Sequence, residues 1–239
     1  EKEGTKELVS DISHQLKTPV AALDTCFSVL LQENLSEEER KEFQVRCRCA
    51  LDGLEVLLQS LLQISKMEAG LIQINREKMP LMETIISAVN RVYPNARAKE
   101  IEFVFDYDEA LENDCILQDK KWLGEAFINV FDNAIKYSPA GSEVYVRIQK
   151  RTDFIRIEIE DNGVGIPKVE YHKIFQRFFR GSLPEVKEEN GSGIGLFLSR
   201  KIIEQHGGTI TVSSNLELKK ELDGKTGSVF IIQLPDNAK

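Results

Sequence analysis

Apolar residues in the first third of the chain return every seven positions. Val9, Leu16, Leu23 and Leu30 hold one heptad position, and Ile12, Pro19 and Cys26 hold the complementary one; this is the seam of a helix that packs lengthwise on others. The pattern predicts a first helix already under way at Glu1 and running to about Gln32. Ser36-Glu37-Glu38-Glu39 then reads as a capping box, with acidic side chains set against the positive end of the next helix dipole. That second helix has its own seam: Phe43, Ala50, Leu57 and Ile64 in one position, Cys47, Leu54 and Leu61 in the other. It is expected to stop at Gly70. About 35 residues at ~1.5 Å each make rods of roughly 50 Å. The apolar stripes are too wide for one hairpin to cover, so a dimeric four-helix bundle is the expected completion. Pro19 removes a backbone hydrogen bond inside the first helix, which reads either as a hinge or as a tolerated kink.

After Gly70 the period changes. Leu71-Ile72-Gln73-Ile74 reads as a short strand, Pro80 to about Tyr93 as a helix, and Ile101 to Phe105 as a strand; Lys120 to Lys136 reads as a helix. Val144, Val146, Ile148 and then Ile155, Ile157, Ile159 alternate strictly, as two half-buried strands would. Residues 167–192 carry Pro, Gly and charge without a sustained period and are expected to form a long mobile loop. Gly193 to His206 reads as a helix, and Gly208 to Val212 and Ser228 to Leu234 close the sheet. The expected class is α+β: a helical hairpin over residues 1–72, then an α/β sandwich domain with mostly antiparallel strands over 73–239.

Composition narrows the function. In 239 residues, 41% are hydrophobic and the net charge is −8, so there is apolar material for two cores. Clustered Lys and Arg for nucleic acid are missing. No apolar run reaches the eighteen residues of a membrane span, and no signal peptide is read at the start. The four cysteines, Cys26, Cys47, Cys49 and Cys115, contain no Cys-x-x-Cys pair and are expected to be reduced thiols, with Cys47 and Cys49 facing different directions on their helix.

Candidate chemistry gathers in a few places. With Val9 as heptad position a, His14 is f, which directs its ring away from the seam. Asn129 and Asn133 lie one helical turn apart; amide oxygens together with nucleotide phosphates suit Mg²⁺, which keeps several of its waters, although a polar helix face would look the same. Asp161-Asn162-Gly163-Val164-Gly165-Ile166 follows a strand directly. An Asp there can accept a hydrogen bond from an adenine amino group while the glycines let the backbone turn beside a ring; an ordinary turn is the plainer alternative. Gly191-Ser192-Gly193-Ile194-Gly195-Leu196 opens a helix, whose amides and dipole favour phosphate. Neither glycine cluster has the P-loop or the dinucleotide spacing.

In order and spacing these segments resemble the boxes of two-component sensor histidine kinases, over nearly the whole chain: Ile12 to Pro19, Asn129 to Ser138, Asp161 to Ile166, Ile174 to Arg180, and Gly191 to Leu196. The resemblance implies a phosphoacceptor and dimerisation domain followed by an ATP-binding domain of the Bergerat type. It implies His14 as phosphoacceptor, Asn133 as Mg²⁺ ligand with Asn129 beside it, and Lys136 and Tyr137 as nucleotide contacts. Asp161 would hold adenine, with Gly163 and Gly165 on its flank. Gly191, Gly193, Gly195 and Leu196 would line the phosphates, and Arg177 or Arg180 would meet the γ-phosphate. The implied partners are a second copy of the chain and a response-regulator receiver domain. Any membrane attachment would run through segments absent from this chain, which would be the cytoplasmic portion of a membrane sensor.

One position departs from the family pattern. Gln15 stands where an acidic residue usually follows the phosphoacceptor, and an amide can hydrogen-bond imidazole but cannot take its proton. An exposed imidazole is mostly neutral at pH 7, so a working, slow autokinase is expected. Thr18, one turn beyond His14, is read either as helix surface or as the residue that orients water for hydrolysis of the partner's aspartyl phosphate. Two rival readings are an ATPase of the gyrase and heat-shock chaperone group, which needs no outward histidine on a hairpin, and a dimer scaffold without ATP binding.

Overall fold

The computed structural model describes residues 2–32, 34–68, 73–189, 191–214 and 227–236. Apart from residues 190–192, a first compact unit ends at Ile72 and a second begins at Gln73.

The first unit is a helical hairpin, α1 (Lys2–Leu30) and α2 (Glu37–Glu68). Ser36 caps α2 as its sequence predicts. The Ser36 hydroxyl accepts from the Glu39 N–H (3.2 Å), and the Glu39 carboxylate accepts from the Ser36 N–H (2.9 Å), so two otherwise unpaired donors are satisfied. Cys26, Leu57 and Ile64 are buried, and Ile12, Pro19, Leu23, Phe43, Cys47, Ala50, Leu54 and Leu61 are half-buried, which is the expected seam. Leu16 departs from it and is 36% exposed. The expected stop at Gly70 lies outside the described residues, as do Leu71 and Ile72 of the expected strand.

In the second unit the first strand is β1 (Glu77–Pro80), later than expected, and Gln73 and Ile74 are not in a strand. Its pattern is weak because it pairs only with the short, unforeseen strand β3 (Cys115–Gln118). Between them lie α3 (Leu81–Ala98) and β2 (Glu102–Tyr107). Helix α3 runs past the expected end at Tyr93 because Pro94 falls close to its C-terminus, and Lys99 closes it with backbone bonds to Asn95 and Ala96. Then come α4 (Lys120–Tyr137), β4 (Glu143–Lys150), β5 (Phe154–Glu160), a five-residue α5 (Pro184–Glu188), α6 (Gly195–Gln205), β6 (Thr209–Ser214) and β7 (Ser228–Pro235). The stretch 167–192, expected as a long mobile loop, holds α5 and two short 3₁₀ turns among its described residues.

The main sheet has the order β2-β4-β5-β7-β6, with β2 parallel to β4 and every other pair antiparallel. Period-two alternation sends Val144, Val146, Ile148, Ile155, Ile157, Ile159 and Ile232 to one face, where they are buried against α3, α4 and α6. Phe127 and Phe131 of α4 fill that layer, and Phe131 meets Phe103 edge-on at 5.6 Å. The opposite face is polar. Arg147 pairs there with Asp106 (3.0 Å) and Glu158 (2.8 Å), and Arg156 with Glu158 (2.7 Å).

Candidate functional site

Helix α4 begins under the Asp119 side chain, which accepts from the Lys121 and Trp122 N–H groups at 3.1 Å. Its last turns carry Asn129, Asn133, Lys136 and Tyr137, all half-buried. At the far end the Lys99 ammonium donates to the carbonyls of Lys136 (2.7 Å), Ile135 (3.3 Å) and Ser138 (3.4 Å). Those carbonyls have no partner within the helix, and a cation is the favourable charge there. Lys99 therefore fixes the turn that presents Lys136 and Tyr137. Burial lowers the Lys136 pKa, with Arg180 and Lys99 adding to the effect while Glu189 and Asp132 oppose it; burial raises that of Tyr137.

The strand β5 delivers Asp161 to the same end. Its carboxyl is 4% exposed, and Oδ1 accepts from the N–H groups of Gly163 (2.9 Å) and Ser228 (3.1 Å). Burial is the main cause that pushes its pKa up to about 6, against those two hydrogen bonds and with the help of neighbouring Glu160. Gly163 sits against the end of α4 so closely that a methyl group there would lie 2.6 Å from the Tyr137 carbonyl oxygen. Gly165 has φ +76° and packs against Gly227.

The segment before α6 is placed by equally close backbone contacts. Gly193, at φ +68°, would bring a methyl group to 2.7 Å from the Phe178 carbonyl carbon, and Phe178 itself has φ +59°. A methyl group on Gly195 would lie 3.2 Å from Asn129 Oδ1, so the Asn129 amide rests against the first turn of α6. Ile194 caps that helix with no side-chain hydrogen bond, so no side chain at the cap position competes for the first-turn amides. Buried Ser199 lies within hydrogen-bonding distance (3.0 Å) of the carbonyls of Ala126 in α4 and Gly195 in α6, tying the two helices together. Leu196 is half-buried in the first turn and Gly191 is exposed.

The two candidate arginines are held differently. Arg177 stacks 5.0 Å over the Phe197 ring of α6. Arg180 donates to the carbonyls of Val186 (2.8 Å), Lys187 (3.2 Å) and Glu189, closing the end of α5. Nearby, buried Glu170 accepts from the Ser182 N–H at 3.1 Å. Among the described residues no group of three or more His, Cys, Asp and Glu is gathered as a metal cage. Amide oxygens at Asn129 and Asn133 fit a hard ion that takes its other ligands from phosphates and water.

In the hairpin, His14 and Gln15 lie in α1, and their side chains are outside the described residues; Thr18 is exposed. His206, where its helix ends, is buried: Nδ1 contacts the Ile202 carbonyl at 2.8 Å, and Nε2 accepts from the Asp119 N–H at 3.0 Å. This is the neutral tautomer with both nitrogens used. Sequence reasoning also missed Lys99, Ser199, Glu170 and Ser228. Each acts on a partner at least twelve residues away, and no local pattern signals such a contact.

Residues 5–70 match the family model described as His Kinase A (phospho-acceptor) domain. Residues 118–238 match the model described as Histidine kinase-, DNA gyrase B-, and HSP90-like ATPase. The sensor-like histidine kinase SenX3 of Mycobacterium tuberculosis is 31% identical over 236 residues, covering 96% of this chain and 53% of its own length. Sensor protein kinase WalK of Staphylococcus aureus is 31% identical over 229 residues, 95% of this chain and 52% of that protein. The chain thus spans about half the length of the curated relatives it matches. The solved mycobacterial sensor histidine kinase MprB superimposes with a TM-score of 0.58 at 32% identity, over 66% of this chain and 97% of that one. The histidine kinase ThkA, solved in complex with response regulator protein TrrA, superimposes with a TM-score of 0.73 over 97% of this chain and 61% of that one; at 23% identity it shares the fold. The gyrase and chaperone ATPases share only the second of the two family descriptions, and with both matched in order along its length this chain belongs to the sensor histidine kinases.

Proposed function

We propose that residues 1–72 are the dimerisation and phosphoacceptor domain and residues 73–239 the ATP-binding domain, and that the chain moves the γ-phosphoryl group of ATP to His14 and then to an aspartate of a response-regulator receiver domain. The observation that carries this reading is the Asp161 carboxyl, buried beside Gly163, whose backbone leaves no room for a side chain against Tyr137. An acceptor for an amino group next to a bare backbone surface suits a purine ring. Lys136 and the amides opening α6, with Gly191, Gly193, Gly195 and Leu196, would hold the phosphates, and Arg177 or Arg180 would meet the γ-phosphate. Asn133, with Asn129 beside it, would hold Mg²⁺, which neutralises phosphate charge.

In the transfer a neutral ring nitrogen of His14 attacks the γ-phosphorus, the bond to the β–γ bridging oxygen breaks, and ADP leaves. The imidazole proton goes to solvent, because the Gln15 amide cannot take it. Positioning and charge supply most of such a reaction. Thr18 would orient the water that hydrolyses the regulator's aspartyl phosphate to aspartate and inorganic phosphate. Segments outside this chain would attach it to a membrane, with this portion on the cytoplasmic side.

Incubation with γ-labelled ATP and Mg²⁺ should label the wild-type chain. His14→Gln should remove the label and leave ATP binding intact, while Asn133→Ala should abolish labelling with the helical content unchanged. Label retained in His14→Gln would move the acceptor elsewhere.

A further inference from the structure

Every polar group of Lys99 is engaged, and three elements meet there. Its N–H closes α3 on the carbonyls of Asn95 (3.3 Å) and Ala96 (3.1 Å), and its own carbonyl accepts from the Gly141 N–H at 2.9 Å. Its ammonium donates to the carbonyls of Lys136, Ile135 and Ser138 at 2.7, 3.3 and 3.4 Å. The side chain thus holds one end of the turn between α4 and β4, and the main chain holds the other. Within that turn the Ser142 hydroxyl donates to the Pro139 carbonyl at 2.7 Å, and the Ser142 carbonyl accepts from the Glu102 N–H at 3.1 Å. The loop after β5 is built on the same turn. Gly163 lies against the Tyr137 carbonyl, the Asn162 side chain donates to the Glu143 carbonyl at 2.9 Å, and Asp161 accepts from the Gly163 N–H.

We infer that Lys99 is a positioning residue for the nucleotide: its ammonium keeps the turn that carries Lys136 and Tyr137 in the arrangement against which Gly163 and Asp161 fit, and it sets the affinity for ATP through that turn rather than through contact with ATP. The inference rests on the kinase reading above. A charged donor is a strong partner for carbonyls at a helix end, where the dipole is negative. Without it the three carbonyls turn to water, and the turn gains arrangements in which Tyr137 stands off from Gly163. ATP must then order the turn as it binds, and that ordering weakens the affinity. Once nucleotide is bound the turn is ordered in either case, so the transfer step itself changes little.

The test compares the full chain with Lys99→Met, which keeps the aliphatic stem and removes the charge, and with Lys99→Arg, which restores a cationic donor. Initial labelling rates from γ-labelled ATP and Mg²⁺ should show the half-saturating ATP concentration of Lys99→Met raised about tenfold, the size of one lost charge-assisted hydrogen bond. The rate at saturation should stay within about twofold of wild type, and Lys99→Arg should recover most of the affinity. Hydrogen exchange of the nucleotide-free proteins gives a second readout: the Gly141 and Gly163 amides should exchange faster in Lys99→Met. Lys99→Gln, a neutral donor, takes the place of Lys99→Met where that variant does not fold. A purely structural role would instead lower the saturated rate through loss of folded protein and leave half-saturation where it was. That pattern, unchanged exchange at Gly141 and Gly163, or no recovery in Lys99→Arg would each overturn the inference and leave the kinase reading in place. A wild-type chain that takes no label would overturn both.

Discussion

The methyl group that alanine would add at position 163 has nowhere to go, since the Tyr137 carbonyl oxygen lies 2.6 Å away on a helix end already held by Lys99. Gly53, in the middle of α2, has nothing within 4 Å of the same added atom. The same substitution therefore has opposite signs at the two sites. Gly163→Ala should destabilise the chain by about 1–3 kcal/mol through overpacking and weaken ATP binding. Gly53→Ala should stabilise it by about 0.5–1 kcal/mol, because alanine loses less backbone freedom in a helix. Thermal unfolding of both variants with a nucleotide titration checks this; equal effects would mean that the loop at Gly163 yields easily.

At the scale of elements, His206 joins the end of α6 to the start of α4 through the Asp119 N–H. Burial is the main cause that lowers its pKa below 6.5, helped by Arg76 and opposed by the bond to Ile202 and by Asp119. A depressed folded value means that the contribution to stability is complete above about pH 6.5 and is lost as pH falls through the lower, folded value. An imidazolium has no acceptor to offer the Asp119 N–H, so acid costs the junction about 1–3 kcal/mol. Asp161 runs the other way, because its raised pKa makes the fold less favourable as pH climbs from the usual carboxylate value to about 6. The comparison is therefore made between wild type and His206→Gln, which keeps an acceptor without a titration. Melting temperatures of the pair should diverge below pH 6.5, the wild type falling faster on acidification; parallel curves would remove His206 from the acid response.

For the whole molecule, the hairpin leaves a second apolar stripe uncovered. Phe27 on α1 is 64% exposed and Leu31, just past its end, 76%, and Leu51 is 46%, Leu58 58% and Leu62 53% exposed on α2. Apolar residues at helical spacing, exposed in one chain, are what a second copy would bury in a four-helix bundle. Phe27→Glu combined with Leu58→Glu should weaken self-association at least about tenfold while the ATP-binding unit, which contains neither residue, keeps its nucleotide affinity. Light scattering of the two proteins at micromolar concentration checks this, and a monomeric wild-type chain would refute the dimer.

Local pattern was enough wherever one stretch of chain makes its own structure. The heptads of α1 and α2, the Ser36 capping box, the alternation in β4 and β5, and the order of Asn129, Asp161 and the glycines could be read directly, because helix period, strand period and turn chemistry act over a few neighbours. Strand β1, which pairs only with β3, was hidden because its residues are neither alternating nor strongly β-forming. Tertiary structure alone decided that His206 is a buried neutral junction, and that Gly163 and Gly193 are steric necessities. It also put Lys99 at the end of α4. In each case the deciding partner is distant along the chain, and whether a group is desolvated, capped or crowded depends on atoms that arrive only when the elements pack.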